Sequence, residues 1–514
     1  MSQQLQAFAI TAPGFYGLNT QDSSLDLASG FALTATNCVI DQYGRIGSRK
    51  GWEALNSTNT NLGDNYIKAI GEVITTDGTS YTICAGNGKL FKLSSGTLVT
   101  LTYGGGGTAP TFGADNWSTA SLAGKLYLFQ SGQDPIVFDP SSSTTTYKRV
   151  SEMAGYSGTV QQGNIVLSAY GRLWNASTST NKLTVQWSDT LAGNTWTGGT
   201  SGTLNTESVW PKGGDVVTGL GAHNGFLYIF GKNNILVYSG ATSPSTMTLS
   251  DTVSGIGCVA RDSIAFTGTD ILFLSQTGVR SLQRTIQEKS APFRDLSKNV
   301  RNDLTAYVSG ETDSSIKGVY SSKDAFYLLT LQVSNITYCF DTKAHLQDDS
   351  NRVTTWDNLI PRAMFTKADG TVLFGQAGYL GSYSGYSDNG SAYRMAYYTN
   401  HTDLGKPNYA VIPKKMVTYV VGGSNQGFAM KWAYDFTGAF DSQVITIAEQ
   451  NVAYYGESEY NYGYDYSSGQ VLNVLTAYPT GSGKVIQLGF ETNIQGFSIS
   501  VQKLEIHAKE GKLY

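Results

Sequence analysis

Charge is scarce in this chain: only 14% of its 514 residues are Asp, Glu, Lys or Arg, against roughly 25% in an ordinary soluble domain. The 35 basic and 39 acidic side chains leave a net charge of −4, so no overall basic field exists to hold nucleic acid tightly. Cysteine is scarcer still. Cys38, Cys84, Cys258 and Cys339 lie far apart and form no CxxC pair, which excludes a zinc ribbon and a disulfide framework and marks them as small buried hydrophobes. The four histidines, His223, His345, His401 and His507, are isolated, so the HxH and HxxxH spacings that bind metals are missing. Long apolar runs are missing too. None approaches the length of a membrane-spanning helix, and the opening MSQQLQAFAITAPG has no basic stretch before an apolar one; the expectation is a soluble product assembled in a cytoplasm, with no membrane insertion.

What fills the space is glycine (59 residues), tyrosine (32), serine, threonine and asparagine. That composition is rich in turns and poor in helix formers. The stretch Phe226 to Tyr238, FLYIFGKNNILVY, reads as a β-hairpin, with two aliphatic and aromatic runs across Gly231-Lys232-Asn233-Asn234. Similar stretches recur. Tyr81, Tyr127, Trp174, Tyr228, Phe273, Tyr327 and Phe374 each sit in a short apolar run, at closely similar intervals along the chain. Each is followed 9 to 13 positions later by a second anchor, respectively Phe91, Phe138, Trp187, Tyr238, Leu282, Phe340 and Tyr383. The interval matches the strand-bearing period of about 40–50 residues in propeller blades, whose four strands cannot bury their faces alone. The predicted fold is therefore all-β: a propeller of about seven blades, between six and eight, over residues 53–390.

Two long gaps in the period locate insertions. Leu191 to Val216 reads as an extended surface loop, and Ser290 to Tyr307 carries Phe293, Leu296, Val300 and Leu304 at helical spacing, the one short helix expected. Beyond residue 391 the period is lost and longer strands appear, Met395–Thr399, Lys415–Val421, Gly427–Tyr434, Val444–Ile447, Lys484–Glu491 and Gly496–His507, which predict a C-terminal antiparallel sandwich or barrel over 391–514. In the last of these Phe497, Ile499, Val501, Leu504 and Ile506 shift phase once, as at a bulge. Val452 to Tyr466 is a tyrosine-rich segment. Its Tyr454, Tyr455, Tyr460, Tyr462, Tyr464 and Tyr466 read either as an interface with protein, glycan or bases or as a solvated loop.

Catalytic constellations are not visible. Ser188-Asp189 followed by Gly193-Asn194-Thr195-Trp196 resembles the Asp-box hairpin of sialidases, but that box is a turn, and no arginine cluster accompanies it. Gly104–Gly107 lacks the Lys-Ser/Thr of a phosphate loop. Asp348-Asp349 reads as a solvated loop rather than a calcium site. Neither an enzyme nor a cofactor is expected.

Residues 13–52 are the most distinctive stretch, a turn-rich arm leading into a hairpin of Ala35–Ile40 and Arg45–Ser48. Gly17-Leu18-Asn19, Asp22, Gly30 with Ala32, Asn37, Gly44-Arg45 and Arg49 with Gly51 resemble the opening of the tail nozzle (tail hub) proteins of short-tailed bacteriophages. The β-domain after the propeller, ending in a long strand, resembles the same family by pattern. The resemblance implies a virion tail protein: a homo-hexamer whose ring extends the portal channel, meets the tail adaptor (head-to-tail connector) and tail fibre or needle proteins, and conducts or gates double-stranded DNA. Arg45, Arg49 and Lys50 would then touch DNA or a neighbouring subunit; as residues alone they read as a solvated strand end. The alternative from another class is a carbohydrate-binding or glycan-cleaving propeller, with Trp196 or the tyrosine-rich segment as a sugar platform.

Overall fold

The computed structural model describes residues 5–57, 59–287, 295–405, 408–448, 452–453, 465–466 and 471–512. Seven inner strands, Ala69–Ile74, Ser118–Leu122, Ile165–Ala169, Val217–His223, Ala265–Phe266, Ile316–Ser321 and Ala363–Thr366, surround one axis. Neighbouring blades touch through these strands or the turn beside them, and the last strand lies against the first, so the ring is closed. All seven primary anchors fall in the second strand of a blade and six of the seven secondary anchors in the third. Most are wholly buried, with Trp174, Phe273, Tyr327 and Phe374 at 0% exposure. The recurrence in the sequence thus reflects one physical demand repeated, an aromatic wedge between adjacent sheets.

The hairpin of Phe226 to Tyr238 holds, with a different turn chemistry. Phe226–Gly231 pairs with Asn234–Ser239 across Lys232-Asn233. None of Gly231 to Asn234 adopts the positive φ expected of them. Instead the Asp215 carboxylate accepts from the Lys232 and Asn233 backbone N–H and from Asn234 Nδ2, each at 2.8 Å, which fixes the turn from outside. Asp215 lies in the long Leu191–Val216 gap. That gap is not all loop, because Gly202–Asn205 is the outer strand of the third blade.

The fifth blade has three strands. Its outer place is taken by Leu296 and Ser297, which bond to Val279 through Leu296 N–H (3.0 Å) and Ser297 Oγ (3.0 Å). Helix Arg301–Ser309 follows a 3-10 turn at Lys298–Val300, and a second short helix, Leu282–Gln287, begins at the fifth blade's secondary anchor. The expected helix therefore starts later than Ser290. Leu296, Val300 and Leu304 are buried as its spacing implies, while Phe293 lies outside the described residues.

Of residues 1–52, expected as an arm with a hairpin, the described part from residue 5 onward is instead woven into the rest. The hairpin exists, as Cys38–Ile40 against Ile46–Ser48. It joins a six-stranded sheet with Ile499–Lys512, Tyr409–Gly422 and Leu472–Ala477, and Gln6–Thr11 also pairs with Ile499–Lys512. Gly17–Leu18 and Phe31–Thr36 lie between the sixth blade's outer strand, Asn351–Trp356, and Tyr393–Thr402. One ten-stranded sheet consequently runs from the propeller axis into the C-terminal sandwich, ending at Ile486–Ile494, Gly427–Tyr434 and Asp441–Thr446. Trp52–Ala54 completes the seventh blade by pairing with Leu380–Tyr383. A single hydrophobic cluster spans both parts, from Leu272 and Phe340 to Phe428, Phe490 and Leu504. In the last strand Tyr419 faces Lys503 and Val420 faces Val501, so Gln502 is the bulge that shifts the inward set from Ile499 and Val501 to Leu504, Ile506 and Ala508. Phe497, expected inward, is 55% exposed because it precedes the strand.

Candidate functional site

The motif residues of the N-terminal stretch converge on the junction between propeller and sandwich. Gly17 passes so close to the sixth blade that a Cβ there would lie 2.5 Å from the Val353 carbonyl oxygen. A Cβ on Gly51 would lie 1.8 Å from that of Ser387. Glycine is the residue that permits both crossings. Asn19 accepts from the Gln21 (2.9 Å) and Asp22 (3.2 Å) backbone N–H and donates to the Asp22 carboxylate (2.9 Å), turning the chain. Asn37, in the left-handed region at φ 55°, donates to the Asp357 carboxylate (2.6 Å) on the propeller side and to the Arg394 carbonyl (2.7 Å) on the sandwich side. Its Oδ1 accepts from Arg49 Nε at 3.1 Å.

Arg49 is 0% exposed. Its guanidinium forks onto Asp388 at 2.8 and 2.7 Å and lies 3.9 Å from the Tyr393 ring centre. Burial opposes its charge, but the Asp388 hydrogen bonds and charge outweigh that and hold it protonated. Both expectations for Arg49, a solvated strand end and a contact with DNA or another subunit, are therefore corrected: it is an internal tie. Arg45 lies 3.8 Å from Asp41 and stacks on Tyr43. Lys50 Nζ is 2.7 Å from Asp324 and lies over the Tyr383 ring. Both have intramolecular partners, with Lys50 the more exposed of the two.

The inner strands of all seven blades line an axial cavity of about 690 Å³. A second cavity of about 440 Å³, lined by Asn164, Thr178, Thr218 and Asp313, shares Asn116 and Arg261 with the first. Between them stands an ionic plug. Arg261 bonds bidentately to the adjacent Asp262 at 2.5 and 2.8 Å and also donates to the Asn164 carbonyl. Lys317, only 6% exposed, donates to Asp262 and, at 2.8 Å, to Asn116 Oδ1. Burial would raise the Asp262 carboxyl, yet Arg261 and Lys317 together hold it well below the usual carboxylate range. Burial pushes the Lys317 ammonium down, and Asp262 only partly restores it. The cluster draws polar groups from the second, third, fifth and sixth blades to the place where the two cavities meet.

Other candidates disperse. The Asp189 carboxylate accepts from the Thr190 (2.8 Å) and Thr200 (3.0 Å) backbone N–H, as a turn residue does. Trp196 is 3% exposed, donates to the Gly193 carbonyl at 3.0 Å and packs near Phe129; it is not a sugar platform, because its ring is core. His345 pairs with Asn351 (2.9 Å) and His507 with Glu505 (3.0 Å), while His401 is buried beneath Phe436. Among the described residues no group of three or more His, Cys, Asp or Glu is placed to hold a metal ion. Asp348 pairs with Lys298 at 2.6 Å. Tyr454, Tyr455, Tyr460, Tyr462 and Tyr464 lie outside the described residues, and Tyr466 is described only by its backbone, in a two-residue parallel pairing of Asp465–Tyr466 with Val452–Ala453.

No protein-family model and no curated protein matches the chain. Solved structures similar to it include the extracellular domain of a hybrid two-component system from B. thetaiotaomicron, with 12% identity, TM-score 0.40 and coverage of 67% of this chain and 42% of that one. The WD40 domain of Pan2 from Neurospora crassa shares 8% identity at TM-score 0.38, over 66% of this chain and 95% of that one. The WD40 domain of coronin from Toxoplasma gondii shares 9% at TM-score 0.35, over 68% and 86%. The chain spans less than half the length of the first two structures it matches, 42% and 37%. At such identities and TM-scores the likeness carries no conclusion about this chain, whose propeller is read from its own strands.

Proposed function

We propose that this chain is the nozzle, or hub, subunit of a short phage tail: a structural protein whose copies close a ring, six in number by the family resemblance, that extends the portal channel and conducts DNA. The observation that supports it most is the use made of the resembling residues. Gly17, Asn19, Asn37, Arg49 and Gly51 are the residues that lock the chain's opening stretch between propeller and sandwich. A motif fixed by that junction is a signature of this whole architecture rather than of an isolated loop. The ionic plug fits the same picture. With the charged cluster of Arg261, Asp262 and Lys317 set across each propeller axis, a conduit between subunits suits the ring better than one through a single propeller. A near-neutral, slightly acidic chain adds few phosphate contacts that would retain DNA in transit. The tail adaptor on one side and fibre or needle proteins on the other are the partners such a ring requires.

Electron microscopy of the purified protein and of virions tests this directly. The expected result is a six-membered ring with an axial pore, seated below the portal. A monomer or trimer that binds glycan arrays would overturn it in favour of a host-recognition propeller.

A further inference from the structure

In the six-stranded sheet the short hairpin strand Cys38–Ile40 is one edge, and two longer edges are left open beside it. Gln6–Thr11 lies on one side of Ile499–Lys512, and Leu472–Ala477 lies beyond Tyr409–Gly422 on the other. Among the described residues no strand pairs with the outer side of either. The two edge strands are equal in length. Exposed edge strands are ordinarily blunted by lysine, proline, a bulge or a covering loop, because bare N–H and C=O groups invite pairing. Neither strand carries a charge or a proline. No charged residue precedes Asp22, and none stands between Ser467 and Gly483. Leu472 and Val474 are each 55% exposed, and Ala7, Ala9 and Thr11 face solvent on the opposite edge. In contrast, the ten-stranded sheet has one end at the propeller axis and offers a single open edge, Asp441–Thr446, which opens on an acid.

The directions are complementary. Successive strands from Gln6–Thr11 through Ile499–Lys512 and Tyr409–Gly422 to Leu472–Ala477 are all antiparallel, so the two edge strands run opposite ways. In a cyclic ring every copy keeps the same orientation to the axis, so one copy's first edge meets the next copy's second edge in antiparallel sense, continuing the pattern without a fault.

We propose that these edges pair between neighbouring copies of this chain, Gln6–Thr11 of one against Leu472–Ala477 of the next, as the head-to-tail contact that closes the ring. The ring itself rests on the nozzle reading; the identity of the contact rests on the edges. Four strands from each of six copies would form a 24-stranded barrel. At about 4.8 Å between strands and about 40° of tilt its backbone would be roughly 45–50 Å across, wide enough to pass a duplex.

Cysteine cross-linking tests the contact in the full chain, since the four native cysteines are buried. Ala7, Ala9 or Thr11→Cys is combined in one chain with Leu472, Val474 or Thr476→Cys, nine pairings that sample the register at positions on the sheet's outer face. The expected result is that at least one pairing, on mild oxidation, gives a covalent ladder up to the hexamer, while neither single variant cross-links. Rings seen by microscopy with no ladder from any pairing would overturn the edge contact and leave the nozzle reading standing. A dimer from Val474→Cys alone would show a two-fold contact and overturn the head-to-tail arrangement. A chain that forms no ring in solution or in virions overturns both.

Discussion

Asp262 is the residue on which the propeller's axis depends most, because it is the one anion between two cations. Replacing it by Asn leaves Arg261 and Lys317 facing each other with no counter-charge. The expected loss is about 3–5 kcal/mol of unfolding free energy, as for other buried pairs deprived of one partner. Lys317→Met removes the cation whose ammonium burial already disfavours and leaves the Arg261 fork on Asp262 intact, so its cost should be below about 1.5 kcal/mol. Urea denaturation of the two variants orders them; equal losses would contradict this account of the plug. None of this is legible in the sequence. Arg261 and Lys317 stand 56 positions apart, and Arg49 finds Asp388 only because the chain's first strands return to meet its later ones. Spacing rules see neighbours on one element, and these partners meet only through the closed ring. For that reason the sequence leaves Arg49 as a solvated strand end or an outside contact, although its partner is internal.

At the scale of elements, sheets behave as their pattern implies wherever an inward set alternates. Gly427–Tyr434 occupies the span expected of it, and the phase shift in the final strand is the Gln502 bulge. The edge Leu472–Ala477 goes unmarked in the sequence because its outward Leu472 and Val474 are apolar, so no alternation distinguishes it. Three adjacent strands of the sandwich are also tied by charge. Glu491 accepts from Arg394 (Nε, 3.1 Å), Lys431 (2.9 Å) and Tyr398, with partners on the sheet neighbour at each side. Burial would raise its carboxyl, but hydrogen bonds from Arg394, Tyr398 and Lys431 bring it from 4.5 down to about 2. Since the folded value is depressed, the stabilisation is complete above the unfolded value and is lost as pH falls from about 4.5 to about 2. Thermal unfolding across that window should show a steeper acid decline for the native chain than for Glu491→Gln, whose melting temperature should already be lowered at neutral pH. Parallel acid profiles would remove Glu491 as the cause.

For the whole molecule, the period of aromatic anchors announces the propeller, because each blade repeats one packing problem with local sequence means. Its closure is not legible, since the strand that completes the seventh blade, Trp52–Ala54, comes from the opposite end of the propeller's sequence. Removing residues 1–54 should therefore do more than trim an arm. It bares Leu380–Tyr383 and strips the strands between Asn351–Trp356 and Tyr393–Thr402. The expected product is insoluble or lacks a cooperative thermal transition; a soluble truncated chain with one sharp transition would contradict that role. The same weave sets a clock on synthesis. The opening strand's partner, Ile499–Lys512, is nearly the last stretch to be made, and at about 5–20 residues per second the ribosome needs roughly 25–100 s to travel from one to the other. For that interval Gln6–Thr11, an uncharged strand, waits for its one partner, so chaperone demand during translation should fall on that strand rather than on the blades.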